Sequence, residues 1–285
     1  MAGFEVVLLG TGNPIPDPNR AGAATLVRAE NTRLLVDAGR GVLLRLAAAG
    51  VLPVMLDAVL LTHLHSDHIC DLNDVVTTHW VMSQQPTTLR VYGPPGTAAV
   101  VEGMRAMLAP DVRYRMTHHD DLSWEPQLDV VEVGEGVVLE QDGWRVVAGP
   151  TDHRPVEPTV GYRVESDGRA VALAGDTVPC AGLDALCRDA DVYVQTVLRD
   201  DLVSMVPMRR FQETIDYHST LVQTAQTAQR TGVRTLVLTH QIPTPAPGSA
   251  DEWVAIAREH FAGEIVFADD LTTVEVDAGE LAGDV

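Results

Sequence analysis

Short apolar runs, each closed by a glycine- or proline-bearing turn, set the rhythm of the first half of the chain. Residues 4–9 form an apolar strand that Gly10-Thr11-Gly12-Asn13-Pro14 breaks into a loop, whose glycines allow close approach of a ligand. Residues 24–28 and 33–36 read as a hairpin turning at Glu30-Asn31, after which Asp37-Ala38-Gly39 ends the strand and residues 41–49 form a helix. Residues 58–61 are again strand. Ile69, Leu72, Val75, Val76 and His79 then recur at helical spacing, so a helix that begins near Asp67 buries one face. Residues 89–92 form a strand, Gly93-Pro94-Pro95-Gly96 a turn and residues 97–108 a helix. Residues 111–126, with His118-His119-Asp120-Asp121 and Trp124, have no clear period and read as a solvated loop or a lid.

The second half repeats the plan. Strands at 128–133, 137–139 and 144–148 lead into Gly149-Pro150-Thr151-Asp152-His153, and strands at 160–164 and 170–173 pair across Ser166-Asp167-Gly168. A helix at 183–188, a strand at 192–194, a helix at 218–230, a strand at 235–238 and a helix at 253–261 follow, with final strands near Ile265 and Val274. Strands that cluster in each half, with helices between and after them, predict an α/β chain of two facing sheets with helices outside. No tandem repeat or low-complexity tract divides it, and Pro243-Thr244-Pro245-Ala246-Pro247-Gly248 reads as part of a site rim rather than a linker. One domain over residues 1–285 is expected.

Composition narrows the function classes. An apolar content of 46% supports a sizeable core, and 40 acidic against 20 basic residues give a net charge of −20, which repels nucleic-acid phosphate at long range. Cys70, Cys180 and Cys187 are odd in number and show no paired metal spacing, so they read as reduced thiols of a cytoplasmic protein, Cys70 being the candidate for reactivity. The N-terminus lacks a basic leader region, and no apolar run approaches the ~20 residues of a membrane span.

The densest chemistry follows the 58–61 strand. Thr62-His63-Leu64-His65-Ser66-Asp67-His68 places three imidazoles and a carboxylate within six residues. Residues two apart on an extended chain project the same way, so His63 and His65 can grip one cation. Asp67 and His68 lie past the turn and suit a second cation a few ångströms away. Three more strands end in ligand-type residues: His153, Asp176 in Ala174-Gly175-Asp176-Thr177, and His240 in Leu238-Thr239-His240. Seven groups suit two metals. Nitrogen and oxygen ligation without thiolate suits zinc, and iron or manganese tolerates the same set.

The segment from Thr62 to His68, flanked by Leu9-Gly10-Thr11-Gly12 and Leu35-Val36-Asp37-Ala38-Gly39, resembles the HxHxDH signature of the metallo-β-lactamase superfamily, and most of all its ribonuclease Z (zinc phosphodiesterase) branch. The resemblance implies a four-layer αββα sandwich with the ligands at one edge. It implies that metal one takes His63, His65 and His153, that metal two takes Asp67, His68 and His240, and that Asp176 bridges them. Asp37 then orients the metal-loop histidines, as any ligating imidazole requires. A metal-bridging hydroxide is the implied nucleophile, with Asp67 orienting it, and His218 in His218-Ser219-Thr220 is the implied general acid. A homodimer is implied as well.

The chain also departs from that branch. The segment that supports the catalytic histidine is His-Glu-Ala-Thr in the family and Gln195-Thr196-Val197-Leu198 here, and the loop after the last ligand reads Gln241-Ile242-Pro243. Bacterial ribonuclease Z carries a transfer-RNA-gripping arm between the third metal histidine and the bridging aspartate, whereas a tight hairpin fills residues 153–176 here. The sequence therefore points to small phosphodiester or ester substrates over transfer RNA. Hydrolysis of aryl sulfates or lactones is the enzymatic alternative, and a non-catalytic metal-bound sensor is the alternative from another class.

Overall fold

In the computed structural model, residues 3–276 apart from Glu30 and Asp142 are described, so the residue at the centre of the first expected turn, Glu30, lies outside them. Strands β1 (Phe4–Gly10), β2 (Ala24–Ala29) and β3 (Thr32–Val36) form an antiparallel meander. Helix α1 (Val42–Ala48) follows, then β4 (Ala58–Leu60), helices α2 (Ser66–Ile69) and α3 (Leu72–Met82), β5 (Thr88–Gly93), α4 (Thr97–His118) and β6 (Gln127–Glu132). From β3 to β6 the pairing is parallel. The second half builds β7 (Gly136–Gln141), β8 (Trp144–Pro150), β9 (Val160–Ser166), β10 (Arg169–Leu173), α5 (Ala181–Cys187), β11 (Val192–Leu198), α6 (Asp200–Met205), α7 (Arg209–Gln212), α8 (Leu221–Thr231), β12 (Thr235–Ile242), α9 (Ala250–Arg258), β13 (Glu264–Phe267) and β14 (Thr272–Glu275). The sheet orders are β14-β1-β2-β3-β4-β5-β6 and β13-β12-β11-β10-β9-β8-β7.

Alternation along each strand makes the layers. Val6 and Leu8 of β1, Val171 and Leu173 of β10, and Val192 and Val194 of β11 share one core between the sheets. Val7 and Leu9, one residue out of phase, pack with Leu46 of α1, Val75 of α3 and Val101 of α4. Ala170, Ala172 and Tyr193 likewise pack against Leu183 of α5, Ala225 of α8 and Trp253 of α9. Period-two side chains thus feed two faces of each sheet, and the result is the αββα sandwich. No helix among the described residues is long and apolar enough to cross a membrane.

Three elements differ from expectation. Helix α4 does not stop at Leu108 but runs through Pro110 to His118, so much of the expected loop is helix. Leu108, Val112 and Met116, spaced by four, line one side of a cleft against Val76 and Leu128, and Asp111 accepts from Arg115 Nε at 2.7 Å. Contacts on that stripe carry the helix past a proline that would otherwise disfavour it. His118 and His119 are exposed, and Trp80 Nε1 donates to Trp124 O at 2.7 Å, which pins the following segment to α3.

The helix expected to begin near Asp67 is instead two helices, broken at Cys70-Asp71. Here the chain is stitched to the turn after β3: Ala38 N donates to His68 O, Asp71 N to Ala38 O and Gly41 N to Asp71 Oδ2. Helix α8 starts at Leu221 rather than at His218, because Thr220 caps it in a reciprocal pair with Gln223. Helices α6 and α7 were not foreseen in the sequence. They pack over a small cluster of Leu198, Val203 and Ile242 beside the strand ends.

Candidate metal centre

Parallel pairing of β3, β4 and β5 in one sheet and of β10, β11 and β12 in the other brings their C-terminal ends to one edge. His63 and His65 leave β4 there, Asp176 leaves β10, and His240 lies in β12. His153 follows β8, whose direction is the reverse of β9. The structure assembles all seven sequence-predicted ligand residues into two groups, His63, His65, His153 and Asp176, and Asp67, His68 and His240; within each group the ligand atoms lie within 4.8 Å of one another.

The donor geometry is specific. His65 Nδ1 lies 3.1 Å from His63 Nε2 and 3.3 Å from His153 Nε2. In the second group, Asp67 Oδ2 is 3.1 Å from His240 Nε2 and 3.7 Å from His68 Nε2. Asp176 Oδ2 sits between the groups, 3.8 Å from His63 Nε2, 3.9 Å from His153 Nε2, 3.4 Å from His68 Nε2 and 3.8 Å from His240 Nε2. His218 Nε2 faces the same oxygen at 3.3 Å.

The opposite ring nitrogens decide which nitrogen is free to ligate. His68 Nδ1 donates to Asp37 Oδ2 at 2.7 Å, and Thr62 donates to both oxygens of Asp37, through its N to Oδ1 and its Oγ1 to Oδ2, at 2.8 Å each. With the Thr62 hydroxyl proton committed to Asp37, His63 Nδ1 donates to Thr62 Oγ1 at 3.0 Å. His153 Nδ1 donates to Tyr217 O at 2.8 Å. Each of these rings therefore offers Nε2 as the lone pair, and His68 Nε2 is buried without a hydrogen-bond partner. Lone pairs converging on carboxylate oxygens in a buried site fit divalent cations of borderline softness.

Electrostatics divide the two groups. Burial pushes His63, His65 and His153 down, His153 to about 4. For His68 and His240 burial is again the largest single cause and acts in the same direction, but Asp176 together with Asp37 at His68 and with Asp67 at His240 outweighs it, and both are held above the ordinary imidazole value. Burial alone would raise Asp67 and Asp176. The His240 hydrogen bond and the His68 and His240 charges bring Asp67 to about 2, and the same two charges hold Asp176 well below the carboxylate range.

Sequence reasoning missed Thr196 and Thr62. Thr196 Oγ1 donates to Asp176 Oδ1 at 2.6 Å, fixing the carboxylate so that Oδ2 faces the histidines. The Gln195-Thr196 departure thus supplies the support for Asp176 from β11. A threonine two residues before the end of β11 was the available signal. Two other expectations need correcting. The closeness that Gly10 and Gly12 permit is to residues 20–22 of the chain itself, with Gly12 N donating to Ala21 O at 2.8 Å and a Cβ on Gly10 colliding with Gly22 O, and not to a ligand. Burial and the neighbouring Asp71 push the Cys70 thiol up, so it holds less thiolate at neutral pH than a free cysteine.

A sandwich with this edge defines a class, and the chain belongs to it: residues 32–241 match the beta-lactamase superfamily domain. It is a hydrolase with a metal-binding His/Asp cluster. In particular, the chain is 52% identical over 281 residues to the ribonuclease Z of Mycolicibacterium gilvum, covering 98% of each chain. It is similar in fold to the metallo-beta-lactamase fold protein YhfI from Bacillus subtilis (TM-score 0.75, 21% identity, 96% of this chain and 100% of that one). Human tRNase Z, short form, is a further structural neighbour (TM-score 0.69, 22% identity, 96% and 100%).

Proposed function

We propose that the chain is a single-domain phosphodiesterase of ribonuclease Z type, with two zinc ions held by the seven residues above and with His218 as general acid. The observation that carries this reading is the single oxygen, Asp176 Oδ2, standing within 3.9 Å of a nitrogen from both histidine groups and of His218 Nε2. His63, His65 and His153 would hold one ion, Asp67, His68 and His240 the other, and Asp176 both; iron or manganese would fit the same donors. Bound there, the two ions supply an activated water and neutralise charge building on the phosphoryl oxygens.

The chain's own groups divide the remaining work. The ionised Asp67 carboxylate accepts a hydrogen bond from the attacking water and so orients it. His218 donates Nδ1–H to Thr214 O at 2.9 Å, which fixes the ring and leaves Nε2 facing the centre. From that atom a proton passes to the leaving oxygen. Ser219 Oγ donates to Thr177 O at 2.7 Å and Leu198 N to Ser219 O, so the His218 segment is tied both to the turn that carries Asp176 and to β11.

Metal uptake is expected to release protons. His68 and His240, held above the ordinary imidazole value, carry more proton at a given pH than His63, His65 and His153, which are held below it, and must lose it to ligate. Titrating the metal-free protein with zinc near pH 7 should therefore release protons, with His68 and His240 the main source among the ligand histidines. Calorimetry in buffers of different ionisation enthalpy reads this release, and uptake without proton release would contradict the assignment.

We read the substrate as a small phosphodiester in the cytoplasm, processed by a homodimer. Support for a compact substrate comes from the interval between His153 and Asp176, where β9 and β10 pair continuously from Tyr162 to Arg169 without an arm. Arg154, beside His153, is occupied by Asp152 and Glu157, and most other arginines also face carboxylates. The name of the 52% identical relative favours RNA as the second reading. Precursor transfer RNA with a 3′ trailer, incubated beside a chromogenic phosphodiester, an aryl sulfate and a lactone, separates these. Fast turnover of the phosphodiester alone is expected, and efficient trailer removal with a salt-sensitive KM would overturn the small-substrate reading.

A further inference from the structure

Of the site histidines, His63, His68, His153 and His218 each have Nδ1 anchored by a protein oxygen. His240 does not: its buried Nδ1 has no hydrogen-bond partner among the described residues. Its backbone is also unusual, with φ at 45°, in the left-handed region that a residue with a side chain rarely adopts. Its ring is hydrogen-bonded only through Nε2, to Asp67 Oδ2 at 3.1 Å, so the backbone must be held by other contacts.

The next residue shows what does. Gln241 is 1% exposed and every polar atom of its side chain is used: Nε2 donates to Leu238 O at 3.0 Å and Ala268 O at 2.9 Å, and Oε1 accepts from Arg20 Nη1 at 3.0 Å. Asn13 Nδ2 donates to Gln241 O at 2.7 Å. Arg20 Nη1 also donates to Thr11 Oγ1 at 2.6 Å, and Nη2 to Asp269. Asp270 closes the network, accepting from Thr11 N and Oγ1, from Ala21 N and from Arg45 Nε at 2.7–3.0 Å. Three residues distant in sequence, Asn13, Arg20 and Ala268, therefore bond Gln241 directly, and Asp270 is linked to it through Thr11 and Arg20. None of the bonds named here reaches His63, His65 or His153.

We infer that the Arg20–Gln241–Asp270 clamp is the positioning device for His240: it holds a left-handed backbone in place of the missing ring anchor, and so sets the affinity of the Asp67–His68–His240 group for its cation. This rests on the proposed reading that the group binds one. Supporting contacts of this kind change metal affinity by about 10- to 100-fold. The effect should fall on one ion alone, because in the other group His63 is anchored by Thr62 and His153 by Tyr217, neither of which is part of the clamp.

The test is zinc titration of metal-free protein, in competition with a chromophoric chelator, on the wild type, Asp270→Asn, Gln241→Ala and Arg20→Ala. Circular dichroism melts establish which variants fold, and Arg20→Ala, which removes a partly exposed side chain, keeps the test alive if the buried substitutions do not. The expected result is one zinc bound as in the wild type and the other weakened about 10- to 100-fold in every folded variant. Two unchanged affinities, or a parallel loss of both, would overturn the clamp. A wild type that takes up fewer than two zinc ions would instead overturn the metal reading beneath it.

Discussion

Asp176→Ala is expected to lower the occupancy of both metal groups and to reduce phosphodiester turnover by about 10⁴-fold, since lost Lewis-acid stabilisation of several kcal/mol converts at tenfold per ~1.4 kcal/mol. The reason is geometric. A single oxygen, Oδ2, faces both histidine groups, while Oδ1 is committed to Thr196. Removing the carboxylate also leaves His68 and His240 without the charge that chiefly opposes their burial. Metal content and kcat measured on the same preparation check this. Loss of one ion with the other retained at wild-type affinity would confine Asp176 to a single group.

The second large effect is expected at His218. Its substitution by alanine should lower kcat by about 10²- to 10⁴-fold, the usual contribution of a general acid, with metal content intact. Geometry separates it from the ligands: its Nε2 contacts Asp176 at 3.3 Å, and it belongs to neither ligand group. The loss should be smaller when the leaving group is a nitrophenolate, which needs little protonation, than when it is an alkoxide. Equal losses on both substrates, or lost metal, would assign His218 a structural or ligating role.

Sequence pattern made all seven of the clustered His and Asp residues legible because strand ends mark themselves. An apolar run that stops at histidine or aspartate, four times over, places those residues at sheet edges, and parallel pairing then brings the edges together. The strand alternation of Val6, Val7, Leu8 and Leu9 likewise announces a sheet covered on both faces. What stayed hidden depends on contacts between distant segments. Helix α4 outruns its expected end at Leu108 because Leu108, Val112 and Met116 find a surface, and Thr220, not His218, caps the start of α8. Thr196 carries no motif, and its role appears only when β11 lies beside the Asp176 turn. The Gln241 clamp joins residues 11, 20, 241 and 270, which no local pattern connects.

The central claim is a two-metal centre, and the direct measurement is elemental analysis of the wild-type protein after saturation with zinc and removal of free ion. Seven converging ligand groups imply about two zinc ions per chain. Saturation at one ion per chain, in protein that is fully active on a phosphodiester, would contradict it.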